Sequence, residues 1–360
     1  MVQTTSAGSC RVSEGIIGRF TRTVVLENDL LRCTVLVDKG ADIYELRYKP
    51  RDIDVLWKAP WGLKEIGTIA PTAVSSQVAW LDHYEGGWQE IFPSGGGPTM
   101  YQGIEMPFHG EVATMPWDYE ILVASGVRAS VRFTVVTTRT PFRIERTMTL
   151  EDGQPVVRFD ERLTNEGAVA FDYMWGHHPA YGAPFLGEGC RLDVPARRII
   201  ADASQTDPER SWLPDGGGFD WPVILGRDGH WRDLRQIPGP DQRVNNMGYL
   251  IDLEDGWYGL TSRSLGFGIG LVWPKEFFSC VWLWQELCGS FGHPWYGRAY
   301  VMGVEPWTSW PGHGLSAARA NGTARTIGPG VSEEISFRAV FYESRAGIRR
   351  IHPDGTVETL

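Results

Sequence analysis

The chain has 360 residues, 42% of them hydrophobic and 22% charged, with a formal net charge of −10. A chain of this length buries roughly three quarters of its unfolded surface, so it needs neither disulfides nor a metal to fold. The acidic balance argues against nucleic acid or an anionic membrane surface as partner, since either demands clustered Lys and Arg.

The N-terminal stretch MVQTTSAGSCRVSEG has no basic region and no apolar run. It predicts no signal peptide, and with it a cytoplasmic location. Thr21–Lys49 reads as three strands, with Asn28-Asp29 and Lys39-Gly40 as the turns between them. Val127–Thr138, Phe142–Gly153 and Pro155–Gly167 form a second series. In the last of these, Val157, Phe159, Glu161 and Leu163 alternate with Arg158, Asp160, Arg162 and Thr164. That is the pattern of a half-buried antiparallel strand, interrupted by one charged Glu161. Residues 201–246 are richer in Asp, Gly, Pro and Arg than their flanks and read as a long excursion between strands. Ile335–Ser344 alternates again. The first ~15 and last ~10 residues read as loosely held ends. No segment sustains a 3.6-residue apolar period, and the longest apolar runs, such as Phe267–Trp273, are too short to span a membrane. The expectation is an all-β protein of roughly 20–30 strands, one large antiparallel β-sandwich over residues 1–360.

The five cysteines (Cys10, Cys33, Cys190, Cys280 and Cys288) show no Cys-x-x-Cys spacing and read as free thiols. Phosphate loops, dinucleotide fingerprints and Gly-x-Ser-x-Gly elbows are absent, which counts against kinases, nucleotide oxidoreductases and α/β-hydrolases. No cofactor is implied.

Three segments carry residues that strand packing does not require: Leu81–Tyr119, Tyr173–Phe185 and Tyr300–Leu315. In the second, His177 and His178 are adjacent, so on a strand they point to opposite faces and at most one enters a given cleft. Such a histidine is either a backbone-bonded turn residue or a general acid. In the third, Glu305 lies among Val304, Pro306 and Trp307. It is either a solvated strand-end carboxylate or a general base whose pKa burial would raise. In the first, His109 sits in a Pro-Phe-His-Gly turn. Glu105, His109 and Glu111 match no strong metal-ligand spacing, so no metal is expected. Among the other histidines, His293 has the aromatic and Gly-Pro surroundings of a site wall. The 16 tryptophans are mostly core, yet indole faces also stack on the C–H faces of sugars.

Four segments in order resemble the galactose mutarotase (aldose 1-epimerase) superfamily. Val37–Lys49 is similar to its opening hairpin, Glu105–Tyr119 to the segment of its first histidine, and Leu163–Gly182 to its Thr-Asn-x-Gly…His-Pro stretch. Met302–Pro311 is similar to its late Glu-Pro stretch. The resemblance implies the family's large antiparallel β-sandwich, with His178 as general acid and Glu305 as general base. It further implies His109 as a substrate contact. Trp88, Trp282, Trp284 and Trp307 are candidate walls, and His177 a further contact. The family's early substrate-binding arginine has no match; "GGWQEIFPSGGG" stands there instead and offers Gln89 and Glu90. The implied activity is interconversion of the anomers of a free sugar or sugar derivative by a monomer or homodimer. Two alternatives keep the scaffold: other epimerase, isomerase or lyase chemistry on a sugar acid or keto-sugar, and carbohydrate binding without catalysis.

Overall fold

The structure, a computed structural model, describes residues 8–67, 75–202 and 207–360. Its frame is two antiparallel sheets, one of 13 strands and one of eight. Only two α-helices occur among the described residues, Ser76–Asp82 and Leu315–Asn321, each of seven residues. The local reasons for the strands are those read in the sequence. Thr21–Glu27, Leu31–Leu36 and Asp42–Tyr48 pair in succession. The Asn28 side chain turns the first corner by accepting the N–H groups of Leu30 and Leu31 at 2.9 and 2.7 Å.

In the smaller sheet, Arg128–Val136, Phe142–Glu151, Val156–Asn165 and Ser332–Glu343 lie side by side. Val157, Phe159, Glu161 and Leu163 all point into the core. Phe159 stacks on Phe337 at 4.6 Å, and this pair meets Trp88 and His177 of the large sheet at 5.1 and 4.7 Å. The main core is therefore the layer between the sheets, and the opposite face of the large sheet is free to build a site.

The chain ends are more ordered than the sequence predicts. Residues 1–7 lie outside the described residues, but Cys10–Ile17 pairs along its length with Thr21–Glu27. At the other end Ile348–Ile351 and Val357–Thr359 form a hairpin anchored by buried Ile351. The polar character of both segments reflects edge and hairpin strands that bury one side only. Within 201–246 the chain leaves strand Arg198–Ala201 and returns as Val244–Ile251, which pairs with it. Between them Gly218–Asp220 extends the sheet edge and Val223–Leu225 pairs with Trp231–Asp233; residues 203–206 lie outside the described set. All five cysteines are free thiols, four of them buried. Among the described residues no helix is long and apolar enough to cross a membrane.

Candidate active site

Five adjacent strands of the large sheet build the floor: Trp88–Ile91, Gly176–Gly182, Tyr300–Trp307, Cys280–Leu287 and Val244–Ile251. Register decides what faces outward. Gly176 pairs with Trp307 and Ala180 with Gly303, so His178 lies level with Glu305 on the next strand. Glu305 in turn pairs with Trp282, and Trp282 with Tyr249. Residues paired across strands share a face, so these side chains form one patch. His178 Nε2 is 3.5 Å from Glu305 Oε1.

The carboxylate is held from behind. Trp307 Nε1 donates to Glu305 Oε2 at 3.0 Å. The Trp307 ring stacks on Trp282 at 3.9 Å, and Trp282 Nε1 donates to the Ser309 carbonyl at 2.9 Å. Two glycines make room for this arrangement. A Cβ on Gly176 would sit 2.1 Å from the Trp307 ring, and one on Gly303 would sit 2.5 Å from Glu305 Oε1.

A cavity of about 230 Å³ opens over the pair, just below the roughly 300–1,000 Å³ usual for small-molecule sites. Trp80 and Tyr84, on and just after helix Ser76–Asp82, wall one side, and Trp284 and Trp295 another. Among the described residues no Lys or Arg lines it; its titratable groups are His109, His178, His293, His313, Asp202, Glu305 and two tyrosines, Tyr84 and Tyr249.

Burial sets the protonation. It pushes Glu305 up to about 8, partly offset by the Trp307 hydrogen bond, and pushes His178 down to about 4. At neutral pH the pair therefore holds one proton between them. His109 is held well below its ordinary value by burial and then by His178. Its Nδ1 accepts the Gly96 N–H at 3.1 Å, so the neutral ring carries its proton on Nε2. His109 adopts a left-handed φ of 58°, a conformation that costs a non-glycine residue roughly 1–2 kcal/mol.

His178, Glu305, His109, Trp282 and Trp284 thus converge on the cavity, and His293 stands in its wall. Five other expected contacts do not. His177 points into the core, where its Nδ1 accepts from Trp88 Nε1 at 3.2 Å and its Nε2 meets Glu161 at 3.1 Å. Accepting at Nδ1 makes His177 a neutral ring that donates from Nε2. Trp88 and Glu90 share that inner face, and Glu90 pairs with Arg146 at 3.2 Å and accepts from Trp175 at 2.9 Å. Gln89 faces outward but is fully buried beneath the cavity and bonds Asp42. Trp307 backs Glu305 without lining the cavity. Strand alternation is the physical reason in the first three cases. Glu111 accepts from Thr138, Arg139 and Thr140 and is occupied in holding that turn.

Sequence reasoning missed an opposite wall of Asp202, Tyr249 and His313. Tyr249 donates to Asp202 Oδ2, and His313 Nε2 lies 3.0 Å from the same oxygen. Asp202 falls in the polar stretch read as an excursion, and only its return pairing with Val244–Ile251 brings it to the site.

The model of a domain of unknown function, DUF4432, matches residues 18–213. The chain belongs to the DUF4432 family. That match covers the turn that carries His109 and the strand that carries His178. No curated protein matches this DUF4432 chain. Among solved structures it is similar to a candidate aldose 1-epimerase from Klebsiella pneumoniae, with a TM-score of 0.72 at 15% identity, covering 93% of this chain and 84% of that one. It is similar to a galactose mutarotase-like protein from Clostridium acetobutylicum, with a TM-score of 0.62 at 13% identity, covering 93% and 99%. A galactose mutarotase-like protein from Lactobacillus casei gives 0.61 at 14%, covering 89% and 100%. At these identities the likeness is one of fold: this DUF4432 protein has the galactose mutarotase-like fold.

Proposed function

We propose that the chain is an aldose 1-epimerase-like enzyme that interconverts the anomers of a sugar or sugar derivative. The observation that carries this reading is the His178–Glu305 pair, 3.5 Å apart and buried at the base of an aromatic cavity. Glu305, in its ionised form, takes the proton of the anomeric hydroxyl. His178, in its protonated form, delivers a proton to the ring oxygen, and the C1–O bond opens to the free aldehyde. Rotation about C1–C2 presents the other carbonyl face. Closure then runs with roles reversed: His178 takes the proton from the attacking hydroxyl and Glu305 returns one to the carbonyl oxygen. Ionised Glu305 with protonated His178 contains the same number of protons as the resting pair, so no proton enters or leaves the site. His109 Nε2–H supplies a donor to a ring or hydroxyl oxygen, and Asp202 accepts from a hydroxyl at the far wall.

Acid–base assistance of this kind contributes about 10²–10⁴-fold. Polarimetry of freshly dissolved pure anomers, across neutral aldoses and uronic acids, tests the reading. Faster relaxation for at least one sugar is expected, lost in His178→Asn; no acceleration across the panel contradicts it.

A second reading, chemistry on a sugar acid, is favoured by one observation. Lys64 and Arg298 line an adjoining cavity of about 240 Å³ that shares Leu81 and His293 with the first. A uronate preference in the panel, or a product altered away from the anomeric carbon, would select it.

A further inference from the structure

Beneath the cavity, on the same face of the large sheet, lies a polar cluster that the proposed reaction leaves unused. Lys39, Asp42, Glu85 and Gln89 are all buried. Lys39 Nζ lies 2.5 Å from Asp42 Oδ2 and 2.9 Å from Glu85 Oε2. Gln89 Nε2 donates to Asp42 Oδ2 at 3.2 Å and to the Gly86 carbonyl at 2.7 Å. Gln89 is the direct cross-strand partner of His178, so the two side chains leave the sheet as neighbours. Tyr84 precedes Glu85 in the chain, and its ring meets the His178 ring edge-on at 5.7 Å.

Five polar atoms of this group are buried without a hydrogen-bond partner among the described residues: Asp42 Oδ1, Tyr84 Oη, Gln89 Oε1, His178 Nδ1 and Glu85 Oε2, the last in ion-pair contact with Lys39 Nζ. Buried polar groups are nearly always paired, so the four that lack even an ion-pair contact, on neighbouring residues, need a common explanation. Two are acceptors, one is a hydroxyl that can do either, and the fourth is the back nitrogen of the proposed acid. An ordered water needs two to four such partners.

We propose that Asp42, Gln89 and Tyr84, fixed by Lys39 and Glu85, are positioning residues for His178: through ordered water they satisfy its Nδ1 and stabilise the doubly protonated ring. This rests on the acid role given to His178 above. The chemical need is specific. A histidine that delivers a proton from Nε2 does so as imidazolium, and its Nδ1–H then requires an acceptor. Gln89, the residue paired with His178, and Asp42, which Gln89 bonds, each carry a buried acceptor oxygen without a partner among the described residues. The titratable groups that face His178 directly are Glu305, His109 and Tyr84; Asp42, Lys39 and Glu85 stand behind Gln89. Gln89, placed outside the cavity wall, thereby acquires a role through His178.

The test is a ¹H–¹⁵N NMR titration of the histidine rings in the full chain, which needs no substrate. Gln89→Met removes the amide acceptor and keeps all the ion pairs; Asp42→Asn alters the carboxyl beside it. In both, the His178 midpoint is expected to fall by roughly one pH unit, the size of one hydrogen bond to a charged group. With a sugar that is turned over, kcat is expected to fall about tenfold with KM little changed. A His178 midpoint that is unmoved in Gln89→Met overturns the proposal, even if Asp42→Asn does not fold. Absence of sugar turnover with the midpoint still shifted would instead overturn only the proposed reaction.

Discussion

At the scale of the residue, two ionisable side chains carry opposite shifts from one cause. Burial disfavours the charged form of each, which raises Glu305 to about 8 and lowers His178 to about 4. The proposed reaction requires the pair to hold one proton. Below about pH 4 a second proton arrives and the base is lost; above about pH 8 the shared proton leaves and the acid is lost. kcat/KM should therefore be flat between roughly pH 5 and 7 and fall on both sides, with limbs that belong to the pair rather than to either residue. A profile with a single limb near 6.5 would mean that His178 titrates as an exposed histidine. The same burial predicts the behaviour of Glu305→Gln. The amide keeps the shape and the Trp307 hydrogen bond without a titrating carboxyl, so thermal unfolding should show a midpoint at pH 8 equal to or above that of the unmodified chain.

At the scale of the element, the site depends on which way each strand residue points. The choice between His177 and His178 is settled by a two-residue period and by the ladder with Tyr300–Trp307. The sequence showed the alternation but not its phase, because the phase depends on a partner more than a hundred residues away. This also explains the error over Trp88 and Glu90. They sit at alternate positions of Trp88–Ile91 and must share one face, which is the inner one. The glycines are equally specific. Gly176→Ala would drive a methyl group into the Trp307 ring, and overpacking of this kind costs about 1–3 kcal/mol. Chemical denaturation should show that loss, and near-ultraviolet circular dichroism a changed Trp282–Trp307 stack. An unchanged denaturation midpoint would show that the strand can shift to accommodate it.

At the scale of the molecule, the fold class was legible because strand alternation, turn residues and the lack of helical periodicity all agreed. The far wall of the cavity was not legible. Asp202, Tyr249 and His313 meet only through the pairing of Arg198–Ala201 with Val244–Ile251 and the turn after Trp307. No local pattern encodes such long-range closure. The molecule as a whole also bears the cost of its buried ionisable groups. Glu161 and Glu305, both raised to about 8, keep protons in the folded state that the unfolded chain releases near 4.5. They favour folding at low pH, and that contribution is lost as pH rises through 8. His177 and His178, lowered to about 4, refuse protons that the unfolded chain takes up below 6.5, so they disfavour folding there and cease to matter above it. The two sets oppose one another between about pH 4.5 and 6.5, and above 6.5 only the carboxyl contribution changes. Calorimetric Tm should fall between pH 6.5 and 8.5; a rise over that interval would mean that the carboxylates are paired more strongly than their burial implies.

The central claim, that Glu305 and His178 together open and close a sugar ring, is tested most directly by saturation transfer between the two anomeric protons of an accepted sugar. With the unmodified chain present, irradiating one anomer should attenuate the other, and Glu305→Gln should reduce that exchange by at least about 100-fold while the fold is retained. Exchange that persists undiminished in a folded Glu305→Gln chain would contradict the account.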